Sequence, residues 1–433
     1  SRYYDVTARG TFIMTGRYQE YPEYKNSEIE WLDTIPEHWI ATELKRYCNV
    51  TDGSHHSPSV QSEGYPFISV TDVGDNEIDF KNCKRITKLD YIRLVKEGCK
   101  PQVGDVLLTK DGTIGRATIV KEEDQDFVIL SSLGLLSPSN NLNKNFLYYY
   151  LVSGINVDQM NSMIHGSALK RMTINKIDSL KITFPAFEEQ QKIANFLDHE
   201  TAKIDTLIAK QEKLIELLKE KRQAVISHAV TRGLNPDAPM KDSGVEWLGE
   251  VPKHWVIKQL KHCFTLQRGH DLASTQFKKG KYPVYGSNGV IGHHAEFTTY
   301  APCITVGRSG SVGEVNFINE NFWAHNTSLY LKSYNNSELR YIYYFLLSMD
   351  LKSLAAGSAV GSLDRNNIHC RKIAVPDIEE QTEIAEYLEK QLAKFDLMNQ
   401  KSIKGISLLK ERKITLISAA VTGKIDVRNW KKQ

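Results

Sequence analysis

The side chains of this sequence that could do chemistry are of two kinds, paired histidines and polar loops flanked by glycine. His55 and His56, and again His293 and His294, are adjacent, and imidazole pairs raise the question of a metal. Neighbouring residues on a strand or loop point apart, and neither pair has a second ligand pair at the usual spacing, so both read as polar loop residues and no metal site is expected. The six cysteines stand singly with no CxxC, which suggests buried, reduced thiols, not zinc or a disulfide framework. There is no GxxxxGK(S/T) phosphate loop, no HExxH and no GxGxxG opening a helix after a strand.

The polar loops carry hydrogen-bond donors instead. "TKDGTIGR" offers Lys110, Thr113 and Arg116, and "GSALKRM" offers Lys170 and Arg171. Further on stand Arg268 in "QRGH", Ser287 and Asn288 in "YGSNG", Arg308, Ser309 and Ser311 in "GRSGSVG", and Arg365 and Asn366 in "LDRNN". Arginine forks onto guanine, asparagine onto adenine, and Lys, Ser and Thr hold phosphates, so these loops suit contacts with DNA. Their glycines read as tight-turn residues, and at any single polar position an ordinary solvated role competes; the loops as groups carry the reading. A net charge of +3 permits nucleic-acid binding without demanding it.

The elements that must position these loops occur twice. "EEQQKIANFLDHETAKIDT" from Glu188 returns 191 residues later as "EEQTEIAEYLEKQLAKFDL" from Glu379, identical at 9 of 19 positions, and "LKEKRQAVISHAVT" from Leu218 matches "LKERKITLISAAVT" from Leu409. Upstream, "YKNSEIEWLDTIPEHW" from Tyr24 matches "MKDSGVEWLGEVPKHW" from Met240. Between these ends similarity nearly vanishes, apart from "GTIG" against "GSVG" and the "GSA" segments at Gly166 and Gly357. The middles read as strand-rich, from short β-branched runs such as "DVLLT", "RATIVK", "CITVG" and "TSLYLK", each with a helix at "NFLYYYLVS" or "ELRYIYYFLLS". At 433 residues the chain exceeds a single ordinary core, consistent with several domains.

The repeated helices show a heptad seam through Ile193, Leu197, Ile204, Leu207, Leu214, Leu218 and Val225, and through Ile384, Leu388, Phe395, Met398, Ile406, Leu409 and Leu416. Asp377 and Glu380 have capping-box spacing, whereas Ala186 is a poorer cap, and Gly233 and Gly423 stand as stops. Polar residues break the seams at Glu200, Gln211 and Lys221, and at Gln391, Ser402 and Arg412. Antiparallel packing centred on Gln211 and Ser402 would set Glu200 against Arg412 and Lys221 against Gln391, fixing register. Trp31, Trp39, Trp247 and Trp255 lie in the repeated segments and are expected to pack against the helices.

The "EWL…P.HW" segments, the "P..EEQ" helix starts at Pro185 and Pro376, the closing "AVT.G" and the Gly-rich loops together resemble the specificity subunit of type I restriction-modification enzymes, over about Tyr24 to Val427. The resemblance implies an α+β fold with two strand-rich target recognition domains separated by two long antiparallel coiled-coil helices, an internal duplication with pseudo-two-fold symmetry. Its bounds would be an extension over 1–29, recognition domains at 30–185 and 232–375, spacer helices at 186–231 and 376–422, and a tail at 423–433. It implies a non-catalytic chain that reads a bipartite, non-palindromic site in double-stranded DNA. Its partners would be two modification (methyltransferase) and two restriction subunits, with S-adenosylmethionine, ATP and Mg on those partners and no cofactor here. In keeping with this, no element like the NPPY or DPPF of adenine methyltransferases occurs. No apolar run reaches the roughly 20 residues that span a bilayer, and the N-terminus lacks the pattern of a signal peptide, so a cytoplasmic location is expected. The alternative is a coiled-coil scaffold whose middles bind proteins and no DNA.

Overall fold

Each Trp-rich segment folds as an antiparallel hairpin, Tyr24–Ile29 with Leu32–Pro36 and Met240–Asp242 with Glu250–Pro252. The computed structural model describes residues 18–164, 170–355 and 361–431. They fall into two compact units, one running to Lys210 and resuming at Gly405, the other from Gln211 to Lys404. The helices expected at the aromatic runs and at the repeats are α1 (Lys144–Val152), α2 (Phe187–Arg232), α3 (Leu339–Ser348) and α4 (Ile378–Val421). No helix among the described residues is long and apolar enough to cross a membrane.

Although their sequences have diverged, the two middles repeat one topology. In the first unit β1 (Cys48–Asp52), β2 (Val106–Thr109), β3 (Ala117–Ile119) and β4 (Leu133–Pro138) form an antiparallel sheet in the order β1-β4-β2-β3. In the second, β5 (Phe264–Arg268), β6 (Cys303–Gly307), β7 (Val315–Ile318) and β8 (Ser328–Tyr334) give β5-β8-β6-β7. A three-stranded sheet containing one parallel pair accompanies each, built on Tyr65–Ile68 and on Tyr282–Gly286. The edge strands β1 and β5 alternate buried and less buried residues, whereas β2 and β6 inside the sheets are buried throughout, and unlike sequences that meet this pattern satisfy one backbone.

The first core gathers Trp39, Phe146 and Tyr150 with Ile193, Leu197 and Ile204 of α2 and Leu416, Ile417 and Val421 of α4. The second gathers Trp255, Phe264 and Phe345 with Ile226 and Val230 of α2 and Ile384 and Leu388 of α4. Each such large apolar side chain contributes about 1.5–3 kcal/mol on burial. Ile425 and Val427 are buried in the first core as well, and the Asp426 N–H donates to the Gln19 carbonyl at 2.8 Å, so residues 425–427 belong to that unit's body. Strand Tyr24–Ile29 likewise brings residues assigned to an extension into the hairpin.

The repeated "EEQ" has a structural purpose that the sequence left unexplained. Glu189 accepts the Trp39 indole N–H at 3.1 Å, pairs with His38 Nε2 at 2.9 Å and accepts the Tyr21 hydroxyl at 2.6 Å. Glu380 accepts the Trp255 indole N–H at 2.9 Å and pairs with His254 at 2.8 Å. Gln190 Oε1 receives the Asn143 N–H at 2.8 Å and Gln381 Oε1 the Glu338 N–H at 2.9 Å, so each glutamine ties a long helix to the start of α1 or α3. Each unit is thereby clamped at the same two points. Glu380 is drawn off to Trp255, so Asp377 caps α4 alone, accepting the Glu380 N–H at 2.9 Å, and the expected box is half made.

Other expectations need correction. Trp39 and Trp255 are fully buried and Trp31 packs on the first core, but Trp247 is 43% exposed because the loop joining its shorter hairpin carries it outward. Cys370 is exposed, unlike the other five cysteines. Leu207, Leu214 and Met398, expected in the seam, are exposed; within each unit the helices are covered chiefly where the globular part packs on them. The helical segments run antiparallel, but the cross-helix contacts are Lys413 Nζ to Asp205 at 2.9 Å in the first unit and Arg222 to Asp396 at 3.7 Å in the second. Glu200 is held by Lys203 at 2.9 Å and by Tyr18, and Arg412 is exposed; continuing the Asp205 register brings Glu200 nearer Ser418 than Arg412. Ser402 is buried, Gln211 and Gln391 are half-buried, and Lys221 is exposed.

Candidate nucleic-acid interface

Both Gly-rich loops are turns joining matched strands. In the first unit the turn from β2 to β3 is closed by the Gly115 N–H on the Thr109 carbonyl at 3.1 Å, with the Thr109 hydroxyl donating to the Thr113 carbonyl at 2.6 Å. In the second, the turn from β6 to β7 is closed by the Gly313 N–H on the Gly307 carbonyl at 2.9 Å. Gly112 and Gly310 take φ of +64° and +82°, a backbone that side-chain-bearing residues rarely adopt, which explains why "G..G" survives in both middles.

A second segment comes to each turn in the same way. Asp111 and Arg171 form a backbone bridge, with the Met172 N–H on the Lys110 carbonyl at 2.9 Å; Ser309 bridges Ser362, with the Leu363 N–H on the Arg308 carbonyl at 2.8 Å. The candidates at 110–116 and 170–171 therefore share one place, as do those at 308–311 with Arg365 and Asn366 just beyond Leu363. Ser287 joins the second group: a side chain on Gly310 would lie 3.4 Å from its hydroxyl.

Within these clusters the side chains differ in availability. Thr113, Lys170, Arg268, Asn288, Arg365 and Asn366 are exposed, and Ser287, Arg308, Ser309 and Ser311 are half-buried. Arg171 reaches Asp111 at 3.1 Å. Half-buried Arg116 spends one guanidinium nitrogen on the Val73 carbonyl at 3.1 Å and serves first to bind a neighbouring loop. Lys110 is corrected outright: it is 1% exposed and its ammonium lies 3.1 Å from Asp52, an internal ion pair. A charge so buried needs a partner, and Asp52 at the end of β1 supplies it.

The histidine pairs separate as well. His55 contacts Asp52 at 2.9 Å on the surface, whereas His294 is buried, its Nδ1 accepting the Lys278 N–H at 3.0 Å. The carboxylates Asp52, Asp111 and Asp271 escape a reading of the sequence that looks for donors alone. Asp271 carried a local signal, since it stands three residues after Arg268 and accepts its guanidinium at 3.0 Å.

The profile of the type I restriction modification DNA specificity domain matches residues 42–217 and 252–406. A Methanocaldococcus jannaschii protein named for the specificity subunit of the type I restriction enzyme MjaX is 24% identical over 436 residues, spanning 94% of this chain and 97% of that protein. A chain from a structure concerned with assembly and conformational transition of the type I R-M system has a TM-score of 0.65 at 14% identity, covering 90% of this chain and 99% of that one. The HsdS subunit from Thermoanaerobacter tengcongensis has a TM-score of 0.51 at 14% identity, covering 90% and 98%. At such identities the structural likenesses bear on the fold alone.

Proposed function

The chain belongs to the type I restriction modification DNA specificity family, and from that premise we propose that each unit reads one half of a bipartite, non-palindromic site in duplex DNA. The observation that carries this reading is one backbone turn, bridged by a second segment, presented twice with different side chains: Thr113 and the adjoining Arg171 in the first unit, Arg308, Ser309 and Ser311 in the second. A shared backbone explains a common mode of approach, and unlike donors explain unlike half-sites. The long helices set the gap between half-sites and offer docking faces to two modification subunits and two restriction subunits. S-adenosylmethionine chemistry on adenine, and ATP with Mg, reside on those partners; this chain supplies recognition.

Replacing residues 40–183 by the matching segment of another family member tests the reading. Genome-wide mapping of methylated adenines, in cells carrying the chain with its modification subunit, should show one half-site changed and the other intact. Change in both halves would mean that the units do not read independently. Partners recovered without methylation or DNA binding would favour a protein scaffold.

A further inference from the structure

In the second unit several of the donors suited to DNA are already gathered around one carboxylate. Asp271 has 75% of its side chain exposed, yet it accepts Arg268 Nη2 at 3.0 Å and the side-chain amide of Asn326. Arg308 directs a guanidinium nitrogen to the Asn326 carbonyl at 3.5 Å, and its backbone N–H donates to the Thr327 carbonyl at 2.8 Å. His325 closes the group, its ring nitrogens meeting the Thr327 hydroxyl at 2.8 Å and the Leu272 carbonyl at 3.1 Å. The Asn326 hydrogen bond, with Arg268, His325 and Arg308 nearby, holds the Asp271 carboxyl below the usual carboxylate range, so it stays charged.

An unrestrained arginine beside DNA gains most from phosphate, which carries no sequence information. A carboxylate next to it changes that balance in two ways. It repels phosphate oxygens, and it occupies one edge of the fork, fixing the direction of the remaining N–H groups. A carboxamide held by the same oxygen has its free edge fixed too. Arginine and asparagine are the side chains that match guanine and adenine edges in the major groove.

The first unit supports a discriminating role for this place. Arg268 ends β5 and is followed by Gly269; Asp52 ends β1 and is followed by Gly53. Asp52 is held by Lys110 and His55, whereas Arg268 is held by Asp271. The same backbone position thus carries opposite charge in the two units, each with a partner of the other sign.

We propose that Asp271 is a specificity-determining positioning residue of the second unit, orienting Arg268 and Asn326 toward base edges and away from phosphate. This rests on reading the unit as a DNA reader. The test maps methylated adenines genome-wide for the wild type, D271N and R268K, each produced with the modification subunit. D271N should relax at least one base of the second half-site, with discrimination there falling about 10-fold, and leave the first half-site unchanged. R268K keeps the charge but loses the fork, and should relax the same base. An unaltered second half-site in D271N, equal relaxation of both halves, or complete loss of methylation in D271N while the wild type methylates would each overturn the proposal. A wild type that methylates no bipartite motif would instead overturn the underlying reading.

Discussion

Lys413 of α4 lies 2.9 Å from Asp205 of α2, and the positions 191 residues away, Arg222 and Asp396, repeat that pair at 3.7 Å with the roles of the helices exchanged. Because the carboxylate and the cation recur in both repeats, a single duplicated device serves each unit. In the first unit Lys413 also reaches Asp75 at 3.2 Å, and Asp75 accepts the Tyr148 hydroxyl at 3.2 Å, so the helix contact extends into the globular part.

A double-mutant cycle on Asp205→Asn and Lys413→Met should give a coupling of about 0.5–1 kcal/mol in denaturant unfolding, since Asp205 is half exposed and the pair is partly solvated. Burial alone would depress the lysine, but Asp205 and Asp75 more than reverse this and leave its pKa raised. A raised lysine contributes stability fully below its unfolded pKa of about 10.4 and loses it as pH rises through the folded value. The coupling should therefore not weaken through lysine deprotonation between about pH 6 and 9, and should fade only at higher pH.

Glu189→Ala and Glu380→Ala should each destabilise their own unit by about 1–3 kcal/mol, because each strands a buried indole N–H. The loss should be larger at Glu189, which also accepts the Tyr21 hydroxyl. Glutamine at either position retains an acceptor and should recover part of the loss. Unfolding followed by tryptophan fluorescence checks the order; equal stability of Ala and Gln variants would remove the indole clamp as the cause.

What the sequence disclosed follows from how each feature is encoded. The Gly-rich turns, the aromatic helices and both long helices rest on local residue pattern and on repetition, so they could be read directly. The Glu189–Trp39 and Glu380–Trp255 clamps join residues 150 and 125 positions apart. A hint was present, because "HW" and "EEQ" repeat together, and a buried indole needs an acceptor. The fate of Lys110 was hidden: an exposed lysine and a buried one look alike in "TKDG", and its partner Asp52 is 58 residues away. The register differs from the one that sets polar seam breaks against each other because the ion pairs form at Asp205 and Asp396, beside the seam.

Lys110→Met and Arg171→Ala should separate structure from recognition. The methionine side chain preserves much of the buried stem but leaves Asp52 without its ammonium, so the first unit should lose about 1–3 kcal/mol, with the salt dependence of DNA binding by the assembled complex unchanged. Arg171→Ala should leave stability within about 0.5 kcal/mol and lower the salt slope by about one if the side chain turns from Asp111 to a phosphate. A reduced salt slope in Lys110→Met would return that lysine to the interface.

α2 continues unbroken through Lys210, which ends the first unit's share of it, into Gln211, and α4 does the same through Lys404 into Gly405. Removing one heptad from each helix shortens it by about 10 Å, at roughly 1.5 Å per residue, which corresponds to about three base pairs at roughly 3.4 Å each. The deletions should fall between the ion pairs, for instance at 209–215 and 400–406, so that Asp205–Lys413 and Arg222–Asp396 can both re-form. Mapping of methylated adenines should then show both half-sites unchanged and the gap between them shorter by about three base pairs. Deleting only one heptad from α2 should offset the two ion pairs by seven residues and reduce stability instead. An unchanged gap in a folded, methylating double deletion would mean that something other than helix length sets the distance.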